Sequence, residues 1–539
     1  MKPITEIADE LGIDNSYLIP YGKYKAKIDL SAIRPEARGK LVVITGITPT
    51  RAGEGKTTTT VGLTQGLGKL GHKVAATLRE PSLGPVFGIK GGGTGGDKSK
   101  IVPEDEVNIH FTGDAHAVGS AHNLLAAMTD NVAQRSQIAG FSPSKMTWRR
   151  VTDVEDRALR TIVTGIGGSA NAPMRETGFD IVTASEVMAI LALSEGLDNL
   201  RNRLSNIVVG FTDEGQPVTA GDVGAVGSMM SLLRHAILPN IVQTTEGQPV
   251  FVHTGPFGNI AHGCSSVIGD KLALGYADYV LTEAGFGADL GFEKFMHIKA
   301  RFNGLEPQAA VLVASVRAIK SHGGVKRREL EVPDTDAVSR GVPVLEHLVK
   351  MISSFGIPVV VAINKFASDT QSEISIVKAR AEAAGANAAV ESRSFSEGGA
   401  GCTELAEALI SATQGGPKQI SYAYALEQSI EEKITALAQK VYNASGINLG
   451  SAAQKNIRTF ESFGWDKMPI CMAKTHLSIS HDPKARGVPC NYNFEVSDAR
   501  ASVGAGFIFP LAGTMVTMPG LPGSPRVLDV DRDGNVTGL

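Results

Sequence analysis

Residues Thr45 to Leu63, TGITPTRAGEGKTTTTVGL, end an apolar run with glycines, a lysine and four threonines. Backbone N–H groups in such a glycine bend can turn inward around phosphate oxygens. A helix beginning directly after it adds the positive end of its dipole. The order expected is strand, bend, Gly55-Lys56-Thr57, helix. Thr50, Arg51, Ala52, Gly53, Glu54, Gly55, Lys56, Thr57 and Thr58 then form an ATP cradle. In it Lys56 reaches the β- and γ-phosphates and the Thr57 hydroxyl ligates Mg2+. The Walker A pattern GxxxxGK[ST] is incomplete, since Thr50 stands at its first glycine. The plain alternative is a surface loop before a helix, which the preceding strand disfavours. NKFASD at Asn364 has Ala367 where a guanine-selecting NKxD motif needs aspartate, so ATP is expected rather than GTP.

A second group of residues follows. KVAATLREPSLGP brings Arg79 and Glu80 to the end of the next apolar run. Arginine there can grip a planar carboxylate or a phosphate bidentately; an ordinary ion pair is the equal alternative. The segment Gly88 to Lys100, GIKGGGTGGDKSK, either approaches a ligand closely or moves; a plain crossing loop is the bland reading. His110, His116 and His122 are spaced by six, which puts helical side chains on different faces and makes a poor zinc set. DVDRDGN at Asp529 starts like an EF-hand loop, but its twelfth position would fall beyond Leu539, so an acidic turn is expected.

The elements that must hold these residues are short β-branched runs. They are LVVIT at Leu41, NIVVGF at Asn206, PVFVHTG at Pro249, DYVLTEAG at Asp278, AAVLVASVRA at Ala309 and IPVVVAINKF at Ile357. Continuous rather than alternating apolar character predicts parallel strands buried on both faces. Helical stretches such as Ser185 to Leu204 lie between them. The expectation is an α/β fold: a P-loop-containing, doubly wound, mostly parallel sheet with additional smaller α/β domains. Ligands of such sheets sit beyond the carboxyl ends of the strands. The expected division is 1–350 as a large nucleotide-binding α/β domain, 351–415 as a second α/β domain, and 416–539 as a third domain. The segment from Thr514 onward, rich in proline and glycine, is expected to be loop.

The chain has 539 residues, a formal net charge of −3 and four well-separated cysteines. That charge gives no basic footprint for nucleic acid. The cysteine spacing suggests neither a zinc ribbon nor a disulfide framework. The first residues carry acids and no apolar h-region, and no apolar run spans a bilayer, so a soluble cytoplasmic protein is expected.

In order along nearly the whole chain, TPTRAGEGKTTTT, REPSLGPVFGIKGG, HFTGDAHAV, NLLAAM, DRALR, GFDIVTASEVMAIL, NIAHGCSS, DYVLTEAGFGADLGFEKF, VRAIKSHGG, INKF, PICMAKT and TMPGLP closely resemble the formate–tetrahydrofolate ligase family. The resemblance implies that ATP, formate and tetrahydrofolate give 10-formyltetrahydrofolate, ADP and phosphate through formyl phosphate. It implies that Lys56 is the phosphate-loop lysine and that Arg79, beside Glu80, holds formate and its phosphate. It implies that Phe286 and Phe366 sandwich the pterin and that Phe395 stands at a platform usually filled by tryptophan. A homotetramer and activation by a monovalent cation, K+ or NH4+, are implied too. The chain departs from the family pattern at Arg51 for proline, at GGDKSK for GGGYAQ, which puts Asp97 and Lys98 near phosphates or formate, and at Thr254 for glycine. Two other readings remain: another P-loop ligase with an acyl-phosphate step, of the dethiobiotin synthetase kind, which would lack the aromatic positions, and a P-loop ATPase switch, which would be shorter.

Overall fold

A computed structural model describes every residue of the chain except Arg51, Ala52, Ile89, Lys90, Gly91, Ser169, Lys418 and Thr514. Its centre is a 12-stranded sheet. The parallel strands stand in the spatial order Pro249–Val252, Val74–Leu78, Tyr279–Gly287, Lys40–Gly46, Pro307–Ala314, Val359–Asn364, Ala388–Ser392. Antiparallel strands finish the first edge, with Asn240–Thr244 between Pro249–Val252 and Ala26–Ile28.

Alternate side chains of Lys40–Gly46 enter different layers, as the pleat requires. Val42 and Ile44 pack with Leu63 and Leu67 of the helix Lys56–Lys69. Leu41 and Val43 join the opposite layer with Leu345 and Leu348 of the helix Pro343–Ser354. Each fully buried aliphatic contributes roughly 1.5–3 kcal/mol, so the unbroken apolar runs are what hold the centre. Both neighbours of Lys40–Gly46 come late in the chain, at Tyr279 and Pro307. The segments leaving the carboxyl end of this strand and of Val74–Leu78 therefore flank a crevice above Tyr279–Gly287. The division expected at residue 350 falls within this one sheet, since Val359–Asn364 and Ala388–Ser392 extend it.

Two expectations need correction. NIVVGF does not join the central sheet: Val208–Thr212 pairs antiparallel with Pro217–Thr219 and Phe141–Met146. The turn through Asp213 to Gln216 folds the chain straight back, and an apolar run alone cannot show which sheet it enters. The long helix expected from Ser185 is two helices, Glu186–Leu193 and Leu197–Ser205, broken at Ser194-Glu195-Gly196. The chain after Ala512 is mostly irregular, as expected, apart from a short hairpin of Asp529–Val530 with Val536–Thr537. No helix among the described residues is long and apolar enough to cross a membrane.

Glu186 ties the first of those helices to the loop near the C-terminus by accepting from the backbone N–H of Gly504, 2.8 Å, and Ala505, 3.2 Å. Burial outweighs these bonds and raises its pKa to about 7. A carboxyl raised in the folded state is protonated there while the unfolded chain has already ionised. The associated stability is full below pH ~4.5, the ordinary value, and is lost as the pH climbs to about 7. Glu186→Gln keeps an acceptor without a charge. It should therefore raise the unfolding midpoint relative to the parent at pH 8, on the order of 2 kcal/mol after screening, and make no difference at pH 4.5. Equal pH slopes in both proteins would remove Glu186 as the cause.

Candidate active site

The segment from Ile47 to Gly55 leaves the central strand and delivers the chain to the helix Lys56–Lys69. Gly53 and Gly55 have φ of +77° and +78°, the left-handed region where a side chain is strained. Gly55 is further constrained by space, because a methyl group there would lie 2.2 Å from Asn364 Nδ2. Asn364 in turn donates to the Glu54 carbonyl at 3.1 Å. The Asn of the INKF motif thus clamps the bend from the neighbouring strand end. The Glu54 carboxylate accepts from Thr50 N–H at 2.6 Å and closes the bend from inside. Arg51 and Ala52 lie outside the described residues.

At the helix start the Thr57 hydroxyl donates to Glu283 Oε2 at 2.9 Å. Glu283 sits on the adjacent parallel strand opposite Ile44 and is 7% exposed. Burial pushes the Lys56 ammonium below the ordinary lysine range, Glu283 and Glu54 oppose that shift, and Arg79 adds to it. Burial also raises the Glu54 carboxyl. A desolvated cation beside another cation gains strongly from any anion that enters.

Lys56, Thr57, Thr58, Arg79, Glu80, Glu283 and Phe286 line one cavity of about 680 Å³. Arg79 emerges from the end of Val74–Leu78, and the absent side chain of Gly285 makes room for it: a methyl there would be 2.9 Å from Nη2. The guanidinium donates to the Pro256 carbonyl at 3.4 Å. It pairs with no carboxylate among the described residues, so the ion pair weighed as an alternative is not formed. Neighbouring Glu80 is 7% exposed and borders a second small cavity with His110, His116 and Asp153. Burial, with Asp114 next, raises its carboxyl well above the usual range against the pull of Lys27.

His110 Nδ1 and His116 Nε2 are 2.7 Å apart, which requires a proton on one and a free lone pair on the other. His122 is separate: it stacks on Trp148 with centroids 4.2 Å apart, and burial lowers its pKa to about 4. No group of three or more metal-ligating side chains occurs among the described residues.

The aromatics divide between two places. Phe286 lines the cavity and stacks on His476, with centroids 4.8 Å apart. Phe366 follows Val359–Asn364, with the Arg317 guanidinium 4.1 Å from its ring centroid. Phe395 follows the next strand, Ala388–Ser392, and is 55% exposed. Asn364 and Ser392 pair in register on adjacent strands, and each aromatic lies shortly after the end of its strand. Phe395 also approaches the cavity: a methyl on Gly96 would lie 2.9 Å from its ring.

Some of the site was missed from sequence. Glu283 is one such residue. Another is the late segment at Pro519 and Gly520, which lines the cavity and is held where Arg160 donates to the Met518 carbonyl at 2.9 Å. Gly255, Phe257 and Gly258 line it as well. Only the TMPGLP block could have signalled Pro519 and Gly520.

The model of the family described as formate--tetrahydrofolate ligase matches residues 1–539. The chain belongs to that family. A formate--tetrahydrofolate ligase of Desulforamulus reducens is 51% identical, over 100% of this chain and 97% of its own length. One of Roseiflexus sp. is 50% identical, over 100% and 98%. Two departures from the formate–tetrahydrofolate ligase pattern fall where the backbone is left-handed. Thr254, at a usual glycine, has φ +57°, is fully buried and leaves its hydroxyl without a partner among the described residues; a β-branched residue there is strained. Asp97, at another usual glycine, has φ +46° at the tip joining Gly95–Gly96 to Ser99–Val102, a conformation aspartate tolerates. The tip lies beside the platform residue, with Lys98 N–H donating to the Phe395 carbonyl at 3.2 Å. Neither Asp97 nor Lys98 lines the main cavity.

Proposed function

We propose that this chain is an ATP-dependent ligase that joins formate to tetrahydrofolate, giving 10-formyltetrahydrofolate, ADP and phosphate. One observation carries the reading: the guanidinium of Arg79, with no carboxylate partner among the described residues, opens into the same cavity as Lys56 and Thr57. The bend before Lys56 is a phosphate-binding loop in this reading, and Lys56 and the helix N-terminus hold the triphosphate.

Formate is a poor acylating agent because oxide is a poor leaving group. A formate oxygen, held by Arg79, attacks the γ-phosphorus in line; the bond to the β,γ-bridging oxygen breaks and ADP leaves. Lys56 and Arg79 offset the charge spread over the equatorial oxygens. The secondary amine N10 of the folate then attacks the formyl carbon, phosphate departs with the carbon–oxygen bond, and the amine proton is lost. Water must be kept out until then. The segment Gly88–Gly96 is our candidate cover. Ile89 to Gly91 lie outside the described residues, while Gly92, Gly93 and Gly95 line the cavity.

The Thr57 hydroxyl and the Glu283 carboxylate are hard oxygen donors at the helix start, which fits Mg2+ completed by substrate phosphates. There it would neutralise phosphate charge. Phe366 and Phe395, which follow adjacent strands, supply stacking area for the pterin, with Phe286 on the inner wall. A homotetramer, activation by K+ or NH4+, and a cytoplasmic location belong to the same proposal and rest on the family alone.

The test is ADP release. It should depend on formate and tetrahydrofolate together and fall to background without either. Release equally fast without both would favour an ATPase switch.

A further inference from the structure

Phe286 has φ +59°, a strained conformation for a bulky side chain, which persists only where its surroundings fix it. Two of those fixings are neighbours of the ring. The absent side chain of Gly258 makes room for it, since a methyl there would lie 2.7 Å from Cδ2. The His476 imidazole stacks on it. Burial, then Lys474, lowers the His476 pKa, with Lys56 adding to the shift and Asp289 opposing it, which favours the neutral imidazole.

Both rings hang on one buried ion pair. Just after Phe286, Asp289 stands in a wide helical turn of the π form, Ala288–Phe292, a form that recurs at functional sites. Its Oδ1 accepts from the Thr48 hydroxyl at 3.2 Å and its Oδ2 from Lys474 Nζ at 2.6 Å. The side chains of Asp289 and Lys474 are fully buried. Just before His476, the Lys474 ammonium also donates to the carbonyls of Thr475, at 3.1 Å, and Ser478, closing the turn around His476. The pair thus joins the pieces of chain that carry Phe286, His476 and the segment leading to Lys56. Such a pair adds little net stability over an apolar replacement, because desolvation offsets the attraction; its directed hydrogen bonds fix geometry instead.

We propose that Asp289 and Lys474 are positioning residues for the folate: they hold His476 against Phe286 and so fix the aromatic wall that meets the pterin. The inference rests on the ligase reading of the main cavity. The segment leading to Lys56 has supports of its own. Asn364 donates to the Glu54 carbonyl, and His322 Nε2 donates to the Thr48 carbonyl at 2.9 Å. Loss of the pair should therefore fall on the folate and spare ATP.

The experiment measures kcat, KM for tetrahydrofolate, KM for ATP and the unfolding midpoint in the full chain and in three variants: Lys474→Met, Asp289→Asn/Lys474→Met and His476→Ala. Lys474→Met strands a buried carboxylate and should lower the midpoint. The double variant removes both charges and should regain most of that loss. Its KM for tetrahydrofolate should nonetheless rise about two- to tenfold, the worth of one aromatic pair, with KM for ATP and kcat at saturating folate nearly unchanged. His476→Ala should raise the folate KM by a similar factor. Added to the double variant it should raise it little further, since both act on one contact. A folate KM at the parental value in the double variant would overturn the assignment. So would equal rises for ATP and folate, which would make the pair structural only, or full additivity with His476→Ala. ATP turnover in the parent that needs no folate would instead remove the ligase reading itself.

Discussion

Arg79→Ala should lower kcat by about 10³-fold or more while KM for ATP changes little. Removal of one preorganised donor from developing oxyanion charge costs about 10²–10³, and a cationic finger on a transferring phosphoryl group is worth up to about 10⁵. The guanidinium pairs with no carboxylate among the described residues, so its loss leaves no acid stranded and the fold should tolerate it. The room made for it at Gly285 suits the planar fork. Arg79→Lys should accordingly recover only part of the loss, since a point charge cannot hold formate bidentately. Formate KM should rise in both variants. Steady-state kinetics with formate and ATP varied separately would show it, and near-normal turnover in Arg79→Ala would take this residue out of the mechanism.

Lys56→Met should also reduce turnover by about 10³-fold, with a different signature: the KM for ATP rises along with the fall in kcat. Methionine keeps the volume of the side chain and removes its charge. At about 4 Å and an effective dielectric near 20, one such charge is worth roughly 4 kcal/mol to a phosphate, or about 10³ in rate. Burial disfavours the Lys56 ammonium while Glu283 and Glu54 oppose that shift, so an entering phosphate adds to their effect. A Lys56→Met enzyme with normal affinity for ATP would show that phosphates are held elsewhere.

The glycine bend before Lys56 was legible because everything it needs is local: a β-branched run, then Gly53 and Gly55 with positive φ, then Lys56 and Thr57. The strand ends carrying Arg79, Phe286 and Phe366 were legible for the same reason. Glu283 was not, because its meeting with Thr57 joins residues 226 apart through the pairing of parallel strands. Pro519 and Gly520 were read as loop, and nothing local indicates that this loop returns to the cavity. NIVVGF illustrates the converse problem, since its composition suits a central strand and the tight return at Asp213 decides otherwise. The break at Gly196 was visible in principle, since Ser194-Glu195-Gly196 interrupts an otherwise apolar helical pattern. The departures at Asp97 and Thr254 could be noticed as replaced glycines. Their positive φ was needed to show that one is easily borne and the other strained.

The most direct measurement follows oxygen. With formate carrying ¹⁸O, and with ATP, tetrahydrofolate and the full chain, one labelled oxygen per turnover should appear in the released phosphate, because formate attacks phosphorus and later gives up that oxygen. Released phosphate free of label, with 10-formyltetrahydrofolate still formed, would mean that Lys56 and Arg79 do not assemble formyl phosphate in this cavity.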